Sequence, residues 1–289
     1  MNIAFFSSDD AFKTLSEELK KHGIISRVLI TEEPKPSGRG LKIRPNDAHL
    51  NAQKSKIPVV LFNKSSSNLI KKAAKRESIR LGFAFSFGKK IPDTIIKLFP
   101  LGIINLHPSL LPKYRGPTPI QSAIIANDKT TGFSIIKINQ AIDAGEILYQ
   151  DKVDVEESED YLSLKNKILK QASSELPGLI KKYSQNKLLG KRQDEKKASF
   201  TKRTQKSDGE ITAQDKAQGA YNKIRAYASW PKAFLTVSGK RLIIHRAKLD
   251  NGKLLIKVIQ PEGKKPMSLD EFKRGYRNLL TDFPKFVKI

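Results

Sequence analysis

Asn105, His107 and Asp143 bring an amide, an imidazole and a carboxylate into one stretch of the chain. The run reads Asn105-Leu106-His107-Pro108-Ser109-Leu110-Leu111-Pro112-Lys113-Tyr114-Arg115-Gly116, continues through Pro119-Ile120-Gln121 and closes on Asp143-Ala144-Gly145. An amide N–H aimed at a developing oxyanion stabilises it, and an imidazole beside a carboxylate moves a proton near neutral pH. Pro and Gly stand where the backbone must turn, so the three groups belong to separate elements that converge. That combination suits acyl transfer better than it suits packing. Each residue also has a plainer use, since Asn ends strands, a single His is usually packed or superficial, and Asp-Ala-Gly is an ordinary loop. The plainer use is assigned to His22, His49 and His245.

The elements that must position these groups follow from hydrophobic periodicity. Apolar runs at Ile3 to Phe6, Ile25 to Thr31, Val59 to Phe62, Leu81 to Phe85 and Gly102 to Leu106 predict buried strands. Amphipathic stretches at Asp9 to Lys21, Asn68 to Ser78 and Asp93 to Leu98 predict helices between them. The alternation predicts an α/β fold, a Rossmann-like open parallel sheet with helices on both faces. Ligands of such sheets bind beyond the carboxyl ends of the strands, which is where Asn105 and His107 fall. A helix at Pro119 to Ala126, strands at Gly132 to Asn139 and Ile147 to Val155, and a long helix from Tyr161 to Tyr183 complete this part. Beyond it, a helix over Asp215 to Ala228 precedes short strand signals at Phe234 to Val237, Arg241 to Ala247 and Leu254 to Ile259. Ser238-Gly239 and Asp250-Asn251-Gly252 separate them. A smaller carboxyl-terminal OB-like β-barrel is the expected result. The predicted organisation is a first domain over 1–183, a basic linker over 184–204 and a second domain over 205–289.

Composition narrows the chemistry. The 289 residues include no cysteine, which excludes disulfides and thiolate chemistry, and four scattered histidines make a dedicated metal site unexpected. No long apolar run or leader-like start is present, so a cytoplasmic protein is expected. The 54 basic and 29 acidic residues give a net charge of +25. From Lys181 to Thr204 nine Lys or Arg face two acids, and from Gln205 to Ile289 eighteen face eight. A basic linker leading into a basic domain fits a surface for a phosphate backbone, and fits a solvated Lys-rich surface equally well.

The run from Asn105 to Asp143 resembles the active-site segment of the 10-formyltetrahydrofolate-dependent formyltransferases. Ser109 to Gly116 with Pro119-Ile120-Gln121 is similar to the signature of that family. Pro36-Ser37-Gly38-Arg39-Gly40, Trp230-Pro231 and Gln260-Pro261-Glu262-Gly263-Lys264-Lys265-Pro266-Met267 resemble motifs of the branch whose acceptor is methionyl-tRNA. Two places depart from the pattern. Ser7-Ser8-Asp9-Asp10 replaces the usual Gly-containing first loop, and Pro108 stands where the tRNA-modifying members carry Ala and the glycinamide ribonucleotide members Pro.

The resemblance implies 10-formyltetrahydrofolate as formyl donor and methionyl-tRNA as acceptor, with Asn105, His107 and Asp143 as the catalytic residues. It implies a folate pocket lined by Phe87, Gly88, Ile91, Pro92, Ser109, Leu110, Leu111 and Pro112; Phe85, in the same run, is expected in the core on its apolar character. Arg39 and Lys42 would contact the acceptor end, and Lys191, Arg192, Lys264 and Lys265 the RNA backbone. A monomer is expected. Two other readings remain: a sugar-nucleotide formyltransferase using the same trio and donor, and a non-catalytic RNA-binding protein on the same scaffold. The Gly-Arg-Gly loop and the basic second half argue against the first, and the intact trio against the second.

Overall fold

A computed structural model describes residues 1–37 and 40–288. In chain order its elements are β1 (Asn2–Phe6), α1 (Ala11–Lys21), β2 (Ile25–Thr31), β3 (Lys35–Ser37), β4 (Lys42–Arg44), α2 (Asp47–Lys54), β5 (Val59–Leu61) and α3 (Ser66–Arg76). There follow β6 (Leu81–Ala84), α4 (Asp93–Ile96), β7 (Ile103–His107), α5 (Pro119–Ile125), β8 (Thr130–Lys137), β9 (Ile147–Asp154) and α6 (Tyr161–Ser184). The last part contains α7 (Ala217–Ala226), β10 (Ala233–Val237), β11 (Lys240–Asp250), β12 (Lys253–Pro261), β13 (Met267–Ser268), α8 (Leu269–Gly275) and β14 (Val287–Lys288).

Seven strands form one sheet in the order β5-β2-β1-β6-β7-β8-β9. The first five in that order are parallel, and all but the edge strand β5 are buried along most of their length because helices cover the sheet. In α1, Ala11, Phe12, Leu15 and Leu19 recur at helical spacing and are all buried, while Asp9 Oδ1 accepts from the Ala11 N–H at 2.9 Å where the helix begins. Phe5 joins that helix to the sheet, edge-on to Phe12 and to Phe83 with ring centroids 5.0 Å apart in both pairs.

The expected Rossmann-like parallel sheet is present, and within it β8 runs antiparallel to β7, with Asn105 opposite Ile136 and His107 opposite Ser134. Apolar periodicity reports burial but carries no information on strand direction. The chain leaves β7 at His107 and re-enters the sheet beside that same end, so no crossover connection intervenes. A short hairpin that the periodicity did not predict, β3 with β4, pairs Lys35 with Arg44 and Ser37 with Lys42.

The chain divides into two compact units. The first contains Met1–Pro117, Gly132–Val153 and Lys167–Phe200, and the second Thr118–Thr131, Asp154–Asn166 and Thr201–Ile289. In the second, β10, β11 and β12 form an antiparallel meander, and β13 and β14 share the outer edge of β12. Both meander turns are two-residue reversals at positive φ, Ser238-Gly239 at 47° and 72° and Asn251-Gly252 at 47° and 72°. Ala220 and Ile224 of α7, Leu242, Ile256 and Ile259 of the strands, and Phe272 of α8 meet in one buried cluster. The Asn222 side chain of α7 donates to the Ile125 carbonyl of α5 at 3.3 Å, which ties that helix into the same unit.

Among the described residues no helix is long and apolar enough to cross a membrane. Truncating Phe83 to Ala removes the ring that Phe5 meets edge-on and leaves a cavity at the centre of the sheet, and is expected to cost about 3–5 kcal/mol. Urea unfolding checks this as a lowered midpoint at unchanged slope; an unmoved midpoint would place Phe83 outside the stabilising core.

Candidate active site

Residues two apart on a strand point to the same face, so β7 places the Asn105 and His107 side chains on one side of the sheet near its carboxyl end. Asn105 lies between Ala84 of β6 and Ile136 of β8. It is half-buried, and its side-chain amide makes no hydrogen bond among the described residues, which leaves its N–H groups for a ligand. His107 is 4% exposed. Its Nε2 is 2.9 Å from the Tyr114 carbonyl oxygen, which can only accept, so Nε2 carries hydrogen. Nδ1 lies 3.5 Å from Asp143 Oδ2. The carboxylate therefore faces the one imidazole nitrogen that Tyr114 does not engage, an arrangement suited to proton transfer.

Asp143 reaches His107 only because the loop between β8 and β9 folds back. Lys137 ends β8 opposite Ile104, three residues before His107, so the loop must return along the sheet. Two features allow the return. Asp143 has φ of 50°, a left-handed conformation uncommon outside glycine, and a Cβ at Gly145 would overlap the Lys137 carbonyl oxygen. The Gly116 N–H then donates to Asp143 Oδ2 at 2.8 Å and sets the carboxylate's position.

The Pro-rich loop after β7 is held from beneath by a side chain the sequence reading passed over. Ser134, fully buried in β8, donates to the Ser109 carbonyl at 2.6 Å and accepts from the Leu111 N–H at 3.1 Å. Gln150 of β9 donates to the Leu111 carbonyl at 2.9 Å and to Ser134 Oγ at 2.8 Å. A Ser between Phe133 and Ile135-Ile136 was the available signal, because a buried hydroxyl needs partners.

The residues expected around a folate fall on two loops of the first unit. Ser109 is fully buried, with its hydroxyl donating to the Lys113 carbonyl at 2.6 Å, and Leu111 and Ile91 are also buried. Those three side chains stabilise the loops. Phe87 packs edge-on against Phe6 and Phe62 and keeps part of its surface, while Gly88 and Pro92 are exposed and Leu110 and Pro112 half-buried. A Cβ at Gly88 would approach the Glu32 carboxylate at 2.5 Å, so that loop runs close against the end of β2.

Of the residues expected at RNA, Lys42 is exposed on β4, and Lys191, Arg192, Lys264 and Lys265 are exposed. Arg39 lies outside the described residues. The stretch expected as a linker is packed onto the first unit over much of its length. Lys191 and Ile147 exchange backbone hydrogen bonds of 2.8 Å, and Ser199 donates its N–H to the Pro112 carbonyl at 3.2 Å and accepts from the Arg115 N–H at 2.8 Å. Arg115, 2% exposed, forms a two-point ion pair with Glu195 at 2.7 and 2.8 Å, which holds the Glu195 carboxyl below the usual carboxylate range. Lack of periodicity and a high Lys content concealed this order.

The family described as formyl transferase matches residues 1–180, and the formyl transferase carboxyl-terminal domain matches residues 203–253. A methionyl-tRNA formyltransferase of Wolbachia sp. subsp. Drosophila simulans is 32% identical across the full length of both chains. One from Sulfurihydrogenibium sp. is 31% identical over 96% of this chain and 97% of its own. The chain belongs to the formyl transferase family. A solved methionyl-tRNA formyltransferase from Clostridium thermocellum shares the fold with a TM-score of 0.64 at 19% identity, covering 90% of this chain and 98% of that one.

In this formyl transferase the approach of Gly145 to Lys137 is a sharp constraint on the site. Replacing Gly145 with Ala is expected to destabilise the protein by about 1–3 kcal/mol through the backbone shift it forces. Thermal unfolding checks the figure, and an unaltered transition temperature would show that the loop tolerates the added methyl group.

Proposed function

We propose that the protein transfers the formyl group of 10-formyltetrahydrofolate to the free α-amino group of methionyl-tRNA. The observation that carries the reading is the unbonded Asn105 amide on the same strand face as the His107–Asp143 pair, in a chain matching methionyl-tRNA formyltransferases from end to end. The amino nitrogen attacks the formyl carbon and forms a tetrahedral centre. Asn105 N–H stabilises the oxyanion that develops there, a contribution of about 3 kcal/mol, or a hundredfold or more in rate, in comparable acyl-transfer sites. The His107–Asp143 pair takes the proton lost by the amine. The C–N bond to the folate then breaks and that nitrogen recovers a proton, so the site ends as it began.

The folate lies along the 87–92 and 109–112 loops, whose remaining exposed surface includes Phe87, Gly88, Leu110 and Pro112. Arg39 and Lys42 address the acceptor end of the tRNA. Lys191, Arg192, Lys264 and Lys265 neutralise phosphates, with the carboxyl-terminal domain as a tRNA-binding part. The protein acts as a monomer in the cytoplasm, where aminoacyl-tRNA is made.

Incubation with 10-formyltetrahydrofolate and methionyl-tRNA should yield formyl-methionine on mild base hydrolysis. No product from that acceptor together with formylation of an amino sugar nucleotide would overturn the assignment. Ala at Asn105, His107 or Asp143 should each lower turnover by about a hundredfold or more while tRNA binding stays near that of the parent. Undiminished turnover in all three variants would remove them from the chemistry. Binding of tRNA should weaken steeply with salt, and replacing both Lys264 and Lys265 with Ala should reduce the log–log slope by about two. A slope the double variant leaves unchanged would show that neither lysine meets a phosphate.

A further inference from the structure

Asp143 occupies a left-handed backbone conformation, φ 50°, that few non-glycine residues adopt. A non-glycine residue at positive φ costs on the order of 1–3 kcal/mol and persists only where its surroundings over-determine it. Much of the constraint comes from a residue fifty positions later in the chain. Gln193 donates one N–H of its side-chain amide to the Asp143 carbonyl and the other to the Gly145 carbonyl, both at 2.8 Å. The two bonds straddle Ala144 and grip the backbone on either side of it.

The amide cannot turn over. Its oxygen accepts from Arg115 Nε at 3.1 Å and Nη2 at 2.9 Å. A flipped amide would place oxygen against two carbonyl oxygens and N–H groups against a guanidinium. Arg115 is fixed in turn by the two-point pair with Glu195 and by the backbone bond to Ser199. The residue after Arg115 is Gly116, whose N–H holds Asp143 Oδ2. Arg115 and Gly116 therefore hold Asp143 from two sides, one through Gln193 to the backbone and one directly to the carboxylate.

We propose that Gln193 is a positioning residue for catalysis, setting the Asp143 carboxylate against His107, with Arg115 and Glu195 fixing Gln193 in place. The proposal rests on the formyl-transfer reading for its kinetic consequence. Gln193 touches neither Asp143 Oδ2 nor His107; it acts through the Asp143–Gly145 backbone. Loss of its two donors lets the turn relax, and the carboxylate then meets His107 in only part of the population.

The test uses Gln193→Met, which keeps length and removes every hydrogen bond, and Gln193→Glu, which keeps an acceptor for Arg115 and faces the two carbonyls with oxygen. Both should lower kcat by about ten- to a hundredfold, the scale of a small misplacement of a catalytic group, with KM for donor and tRNA within about twofold. Combined with Asp143→Asn, Gln193→Met should add little further loss, because residues acting as a unit are non-additive. Amide hydrogen exchange over residues 139–147 should quicken in both variants. Unchanged exchange, a kcat within about twofold of the parent, or losses that multiply with Asp143→Asn would each overturn the proposal. The exchange result decides it even where the parent proves inactive on methionyl-tRNA, an outcome that would sink the formylation reading instead. Where Gln193→Met fails to fold, Glu195→Gln, at an exposed position, should show the same kcat and exchange changes at smaller size, and their absence would overturn the proposal.

Discussion

The site depends on a carboxylate being held at a strand end that its own loop overshoots. β8 leaves the sheet opposite Ile104, and the hydrogen bond from Gly116 N–H to Asp143 Oδ2 draws the following loop back to His107. Several features near the trio fix that return and the imidazole it meets. Gly145 lets the chain press against Lys137, positive φ at Asp143 turns the side chain inward, and Tyr114 offers its carbonyl to the far nitrogen of the imidazole. A charge-assisted hydrogen bond from a backbone amide is stronger than a neutral one and has one direction, so it fixes orientation as well as distance.

The sheet supplies rigidity to that arrangement without taking part in it. Asn105 and His107 sit on β7, hydrogen-bonded between β6 and β8, so the backbone of both is fixed by ladders on either side. The partner with no strand to hold it is the loop carrying Asp143. It is accordingly the partner that gathers hydrogen bonds from Gly116 and from Gln193. The division follows general physics: strands fix a side chain to within the pleat, whereas a loop must be tied at several points to do the same.

Much of the architecture was legible because burial has a period. The strands of the parallel part, α1, α3, the long α6 and the meander turn at Asn251-Gly252 are where apolar spacing and turn residues placed them. Strand direction was not legible, and the antiparallel course of β8 had no signal because an apolar run reads the same either way. The short helices α2 and α8 were missed too; α8 begins with a Ser268–Glu271 capping box that the sequence carries in plain form. At the site, Asn105, His107 and Asp143 stood out by type and turn residues only as candidates, and the resemblance of the run from Asn105 to Asp143 to the formyltransferases is what set them apart from a strand end, a packed His and a plain loop. The residues that hold the loops, Ser134, Gln150 and Gln193, were not, since each is an uncharged polar side chain whose use appears only when a distant backbone carbonyl or amide reaches it.

The segment around Gln193 shows why charge alone misleads. Lys191 and Arg192 drew attention as cations, and both are exposed, whereas the half-buried residue beside them makes the contacts that shape the site. A lysine at position 193 would offer donors to the two carbonyls and no acceptor to Arg115, leaving two buried cations face to face. A glutamate would satisfy Arg115 and repel the carbonyls. Only a primary amide of this length presents two donors on one side and an acceptor on the other, so among polar side chains the geometry of the Asp143 turn selects glutamine. A strongly basic stretch can thus serve two physical ends in adjacent residues, with a long-range field from the outward cations and a short-range, directional lock from the neutral side chain between them.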